Sequence, residues 1–349
     1  MGPNQGGTAN QFLFALDLDN RSGAFLFYPK GVFRMEMGKI VIIGAGHVGS
    51  HCALALMWRR VCAEIVLVDK DAKKAAAQAA DIADSQSFFG SGTAVRAGTF
   101  ADCDDADITV VAIGEPRKPG QTRLDLLDSS VGMLAEMFAL MGEHRPGGIV
   151  ITITNPADIV ADFVRRALGY PRERVFGTGT LLDTARARRA IAEHLGVDRG
   201  SVSAVSMGEH GNSSMIPFSL VRVGGMPLTG GTDEILSRTR EIGNEIINDK
   251  GSTEFGIGAA LAELADAVLR DRHAVMPVSV LLEGEYGQSG VHCGVPCVIG
   301  RRGIEKVCAL PLTDSELGQL GESCGVIRQH IRRAEAQLRP ETILKGEQQ

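Results

Sequence analysis

The stretch KIVIIGAGHVGS (39–50) decides the architecture. After Lys39 it runs through four apolar, mostly β-branched residues, the pattern of a strand buried on both faces. Gly44, Gly46 and Gly49 follow in the spacing G-x-G-x-x-G, and VGSHCALALMWRR (48–60) then reads as a helix. Glycines placed between a strand and a helix meet three needs: a tight turn, close backbone approach to a pyrophosphate, and close helix–strand packing. The helix start adds unpaired N–H groups and the positive end of its dipole. EIVLVD (64–69) reads as a second buried strand and ends in Asp69, 20 residues beyond Gly49. A carboxylate there accepts hydrogen bonds from an adenosine ribose and repels a 2′-phosphate, so the expected cofactor is NAD, with NADP and FAD as minor alternatives.

Outward from this core the pattern repeats. An Ala-rich helix fills about 71–84, further strands are expected at 93–100 and 107–114, a helix at about 124–141, and a strand within 148–156. Strands alternating with helices imply parallel βαβ units. The second half is less regular, with helices near 181–195, 232–248, 253–270 and 314–338 and strands at 202–207, 275–282 and 295–299. The expected fold class is α/β, a Rossmann doubly wound parallel sheet followed by an α+β catalytic lobe. Its expected domains are an NAD-binding one over 38–158 and a substrate-binding, catalytic one over 159–345. Residues 1–37 do not share the pattern and read as a disordered or artefactual extension, with Met35 or Met37 as an alternative start.

Composition excludes other classes. The 349 residues are 44% hydrophobic and 22% charged with a net charge of -6, which opposes disorder and gives no electrostatic reason to bind nucleic acid or an anionic membrane. No apolar run is long enough to span a bilayer. Seven cysteines, an odd number set mostly in apolar runs, suit reduced thiols in a cytoplasm. His292, Cys293 and Cys297 fall in a β-branched run that reads as a buried strand, so no metal is assigned.

Four later segments carry chemistry: GEPRKPGQTRLDLL (114–127), TNPAD (154–158), LLDTARARR (181–189) and GEHGNS (208–213). In order and spacing they resemble the NAD-dependent lactate/malate dehydrogenase family, from Lys39 to the C-terminal helix. Chemistry points the same way. Oxidising a 2-hydroxy acid needs a base for the hydroxyl proton, and His210 is the side chain poised for it near neutral pH. Asp183 would hold its imidazole in one tautomer. Arg186, three residues on, would grip the substrate carboxylate bidentately. The resemblance implies that Arg123 polarises the carbonyl, that Asn155 bonds the substrate oxygen, and that Thr253 lines the pocket, although Thr253 could instead cap a helix. It also adds Gly114 and Asn155 to the cofactor-binding set of Gly44, Gly46, His47, Val48, Gly49 and Asp69, and implies a homodimer or homotetramer.

Arg117 occupies the family's substrate-discriminating position. An arginine facing the distal end of the substrate pairs with a second carboxylate, and leaving it unpaired over a methyl group costs ~3–5 kcal/mol. That favours malate/oxaloacetate. RLDLL, GEHG and KGST with Thr253 are more like L-lactate or branched-chain L-2-hydroxyacid dehydrogenases, and these stay open. Two departures stand out. Asn212 replaces the family's Asp beside the GEHG motif, which puts the local hydrogen bonding of His210 in doubt. Arg188 matches a sugar-bisphosphate contact of activated bacterial members, but Ser203 replaces the histidine that completes it, so weak or no activation is expected. A catalytically inactive NAD-binding scaffold is the alternative from another class.

Overall fold

A computed structural model describes residues 38–115 and 126–337. The expectations for residues 1–37, and those for Arg117 and Arg123, lie outside the described residues.

The strand read first from sequence, β1 (Lys39–Ile43), lies inside a nine-stranded sheet. Ile42 pairs with Leu67 of β2 (Glu64–Val68) on one side and with Val110 of β4 (Ile108–Val111) on the other, both parallel. β3 (Ala94–Ala97) extends the sheet beyond β2, while β5 (Ile149–Thr152) and β6 (Val175–Gly177) extend it beyond β4. The resulting order 3-2-1-4-5-6 reverses direction at β1 and β4, which opens a crevice at their carboxyl ends. Ile40, Val41, Ile42, Ile65, Val66 and Leu67 are fully buried, as two-sided strands require. α1 (His47–Trp58), α2 (Ala72–Phe89), α3 (Leu127–Met141) and α4 (Ala157–Leu168) cover the strands.

The second half contains α5 (Leu181–Leu195), a three-stranded sheet of β7 (Val202–Ser203), β8 (Arg222–Val223) and β9 (Met226–Pro227), α6 (Thr232–Lys250) and α7 (Phe255–Leu269). β10 (Ala274–Glu283), β11 (Ser289–Gly300), β12 (Gly303–Val307) and α8 (Asp314–Gln337) follow. β10 to β12 do not form a sheet of their own. They continue the parallel sheet through one antiparallel register pair, Ser279 with Gly177.

Two expectations change. The strand expected at 202–207 stops at Ser203, because the chain peels away and re-engages only through single bridges, Met207 with Met215 and Gly208 with Gly294. The strand expected at 295–299 begins earlier, as the 12-residue β11, because β10 pairs with it from Ile299 back to Ser289. No expectation covers α4, β6, β8, β9 or β12. α4 had a readable signal in its apolar Ile159, Val160, Phe163 and Val164 and its left-handed Gly169 cap. β6 has three residues, too few to show a period.

Candidate active site

The glycine turn at the end of β1 is built around forbidden side chains. Gly44 has φ +107°, and a Cβ on it would lie 2.6 Å from the carbonyl oxygen of Ala112. A Cβ on Gly49 would fall 1.8 Å from the Gly44 carbonyl oxygen, so α1 can pack on the turn only with glycine there. Gly46 is the N-cap of α1 with no side-chain cap, and the first helical bond runs from Ser50 N–H to the Gly46 carbonyl at 2.9 Å. The preceding N–H groups, those of His47, Val48 and Gly49, therefore have no helical acceptor. His47 is exposed and Val48 half-buried at this edge. Asp69, half-buried at the end of β2, accepts the Ala45 N–H at 2.8 Å through Oδ2 and the Asp71 N–H at 3.0 Å through Oδ1. Besides standing where a ribose is expected, Asp69 ties the glycine turn to β2. A turn of uncapped N–H groups with a carboxylate beside it fits a dinucleotide pyrophosphate and ribose. Gly114 is exposed just past β4.

The second cluster is assembled across the other half. The first two turns of α5 carry Asp183 and Arg186, whose side chains are 9% and 8% exposed. His210 lies in the turn that follows the Gly208 bridge, and its Nδ1 is 2.5 Å from Asp183 Oδ2. The other oxygen of the same carboxylate, Oδ1, accepts Arg186 Nη1–H at 3.1 Å. One buried anion thus orients both a ring and a guanidinium. A carboxylate at Nδ1 holds the proton there and assigns proton exchange to Nε2. Gly243 of α6 makes room for this pair, since a Cβ there would be 3.1 Å from Arg186 Nη1. Gly256 does the same for Leu182, 2.9 Å away.

Asn155 follows β5, and its Oδ1 is buried without a hydrogen-bond partner among the described residues, a polar atom suited to a bound ligand. Ser130 of α3 fixes its main chain, donating to the Asn155 carbonyl at 2.7 Å. Thr253 is half-buried at the α6–α7 junction, but the cap position of α7 falls to Glu254, so Thr253 is not the helix cap.

Residues not singled out from sequence complete the surroundings. Asp158 Oδ2 accepts the main-chain N–H of His210 at 2.8 Å, and Ser279 donates to its Oδ1 at 2.5 Å. Burial pushes the Asp158 carboxyl up to about 7, against the downward pull of the Ser279 and His210 hydrogen bonds. Glu209 donates its N–H to Ser323 Oγ at 2.8 Å and accepts the Ser213 N–H and hydroxyl at 3.1 and 2.5 Å. Asn212 is exposed, and the turn is braced by Glu209 and Ser213 instead. Asp158 was visible inside TNPAD, but nothing local tied it to His210, 52 residues away.

His292, Cys293 and Cys297 lie fully buried on β11, and His292 Nδ1 is 3.2 Å from Asp162 Oδ1. Burial pulls the His292 pKa down and, with other groups, raises the Cys297 thiol.

Comparisons with known proteins agree with this geometry. Residues 38–177 match the lactate/malate dehydrogenase NAD binding domain, and residues 180–338 the lactate/malate dehydrogenase alpha/beta C-terminal domain. An L-lactate dehydrogenase 3 of Bacillus thuringiensis subsp. konkukian is 38% identical over 306 residues, covering 84% of this chain and 97% of the relative. The Cryptosporidium parvum lactate dehydrogenase, solved with lactic acid and nicotinamide adenine dinucleotide, superposes with a TM-score of 0.82 at 31% identity over 86% of this chain and 99% of that one. The Cryptosporidium parvum malate dehydrogenase gives a TM-score of 0.82 at 30% identity over the same shares. A dinucleotide turn, a carboxylate–histidine–arginine cluster and these matches together place the chain in the lactate/malate dehydrogenase family, as an NAD-dependent oxidoreductase that acts on the CH–OH group of a 2-hydroxy acid.

Proposed function

We propose that His210 carries the proton in this reaction, that Asp183 orients its imidazole, and that Arg186 binds the substrate carboxylate. The observation that supports it is the single buried Asp183 carboxylate shared by His210 Nδ1 at 2.5 Å and Arg186 Nη1 at 3.1 Å. Gly44, Gly46, His47, Val48, Gly49, Asp69 and Gly114 would hold NAD, which would supply the hydride acceptor or donor. Arg123 is proposed to polarise the substrate carbonyl, and Asn155 to bond the substrate oxygen and the cofactor side of the cleft. Thr253 is proposed to line the substrate pocket. His210→Gln should abolish turnover while NADH binding persists; turnover at the parent level would refute the assignment. Undetectable turnover by the parent protein would favour the scaffold.

Arg117 supports malate/oxaloacetate as the preferred pair, because its charge would match a second carboxylate. A second reading, L-lactate/pyruvate, is favoured by relatives named L-lactate dehydrogenase at 36–38% identity. Catalytic efficiency on oxaloacetate against pyruvate separates the two, and a clear pyruvate preference would remove the Arg117 argument. Arg117→Gln should shift preference toward pyruvate.

The boundary after residue 158 is retained as a functional division within one continuous sheet. A homodimer or homotetramer is proposed, with exposed apolar side chains such as Trp58 on α1 and Phe255 on α7 as interface candidates. A reducing cytoplasm is proposed on the seven free cysteines, six of them buried. No described helix is long and apolar enough to cross a membrane.

A further inference from the structure

The His210 turn is held by a second carboxylate, which belongs to α4 and not to the Asp183 helix. Asp158 lies in the first turn of α4 and is 2% exposed. Its Oδ2 accepts the His210 main-chain N–H at 2.8 Å, and its Oδ1 accepts the Ser279 hydroxyl at 2.5 Å. Ser279 is the residue through which β10 joins the parallel sheet opposite Gly177. The two preceding N–H groups are also taken by separate elements: Gly208 donates to the Gly294 carbonyl on β11 at 2.9 Å, and Glu209 to Ser323 on α8 at 2.8 Å. Three successive N–H groups thus reach three different elements, and only that of His210 ends on a carboxylate. An ionisable group is costly to bury, and here a neutral acceptor would satisfy the same N–H.

We propose that Asp158 is a positioning residue for proton transfer, fixing the main chain of His210 while Asp183 fixes its ring. The proposal rests on the reading of His210 as the proton carrier. With both ends of the residue held, the imidazole has one place to stand. Without Asp158 the His210 N–H loses its acceptor, and the turn can shift. Displacement of a reacting group by about 1 Å is enough to cost roughly 10²-fold in rate. The side chain acts through His210 and is assigned no contact with the substrate.

The test uses the full chain with NADH and whichever of oxaloacetate and pyruvate the parent reduces. Asp158→Ala, Asp158→Asn and Ser279→Ala are compared for kcat, KM, NADH affinity by fluorescence, and the primary isotope effect with 4-deuterated NADH. Asp158→Ala should lower kcat roughly 10²-fold and raise the isotope effect, with KM and NADH affinity little changed. Asp158→Asn, which keeps an oxygen for the N–H, should recover most of that loss. Ser279→Ala should move kcat and the isotope effect in the same direction by less. The inference is overturned if Asp158→Ala keeps the parent's kcat, or if NADH affinity falls in step with kcat in both Asp158 variants. Should Asp158→Ala not fold, Ser279→Ala decides: a lowered kcat with a raised isotope effect supports the inference, and parent values refute it. Parent-level turnover by His210→Gln would instead show that the reading of His210 had failed.

Discussion

Asp183→Asn preserves the size of the side chain and removes its charge, and the geometry leaves the amide no satisfactory orientation. If the amide oxygen faces His210 Nδ1, its NH2 meets Arg186 Nη1, and two donors oppose each other where Oδ1 accepted a bond at 3.1 Å. If the oxygen faces Arg186, the NH2 meets Nδ1 and forces the ring proton to Nε2, so the nitrogen meant to take a proton already holds one. The first arrangement loses a charge-assisted bond worth about 1.5–3 kcal/mol, or roughly 10- to 150-fold in rate. The second imposes the wrong tautomer, a defect that costs up to about 10⁴-fold where a carboxylate orients a catalytic histidine. The expected fall in kcat is therefore about 10- to 10⁴-fold. Steady-state reduction of the 2-oxo acid, followed by NADH absorbance, measures it. NADH titration serves as the control, because the glycine turn and Asp69 do not depend on Asp183. A kcat within about threefold of the parent, less than one such bond is worth, would refute the assignment.

Asp69→Ser should narrow the preference for NADH over NADPH by about 10- to 100-fold, as the charge facing a 2′-phosphate goes; an unchanged ratio would show that Asp69 does not read the ribose. Gly49→Ala must open a 1.8 Å contact with the Gly44 carbonyl oxygen, costing ~3 kcal/mol or more. A Tm and NADH affinity equal to the parent's would contradict that packing. The Asp158 carboxyl, raised to about 7 by burial, binds its proton more tightly folded than unfolded. Its contribution is therefore full below about pH 4 and is lost as pH rises through about 7, removing up to about 4 kcal/mol. The stability of Asp158→Asn relative to the parent should rise between pH 4.5 and 7.5, about 2–3 kcal/mol on that slope; denaturant curves showing no such drift would refute the shift. Fructose 1,6-bisphosphate should leave kcat/KM at neutral pH essentially unchanged, because Ser203 is exposed and uncharged and Arg188 Nε already donates to the Ala204 carbonyl at 3.1 Å. Strong activation would overturn this.

Elements with a strong local signal were readable. β1, β2 and β4 are continuous apolar runs because both faces are covered, and the glycine spacing marked where β1 had to turn. The places where the reading fell short are those where partners set the outcome. β7 ends after two residues because the following chain is taken up by Thr184 and Met215, and β11 begins at Ser289 because β10 pairs with it that far. That β10 would continue the parallel sheet depended on a single pair, Ser279 with Gly177, which leaves no trace in either strand's periodicity.

The site divides in the same way. Asp183, Arg186 and His210 were legible because proton transfer and carboxylate recognition demand particular side chains, and the helix period fixes Asp183 and Arg186 on one face. Their supports are ordinary Ser, Asp, Glu and Gly residues whose roles come only from distant contact: Asp158 with Ser279 across 121 positions and Glu209 with Ser323 across 114. Gly243 gives the clearest case. Within α6 a glycine is locally unfavourable, yet a Cβ at that position would press on the Arg186 guanidinium at 3.1 Å. A residue that weakens its own helix there is explained by the charge it leaves room for. The helix penalty is visible in the sequence, but its compensation appears only when α5 and α6 are brought together.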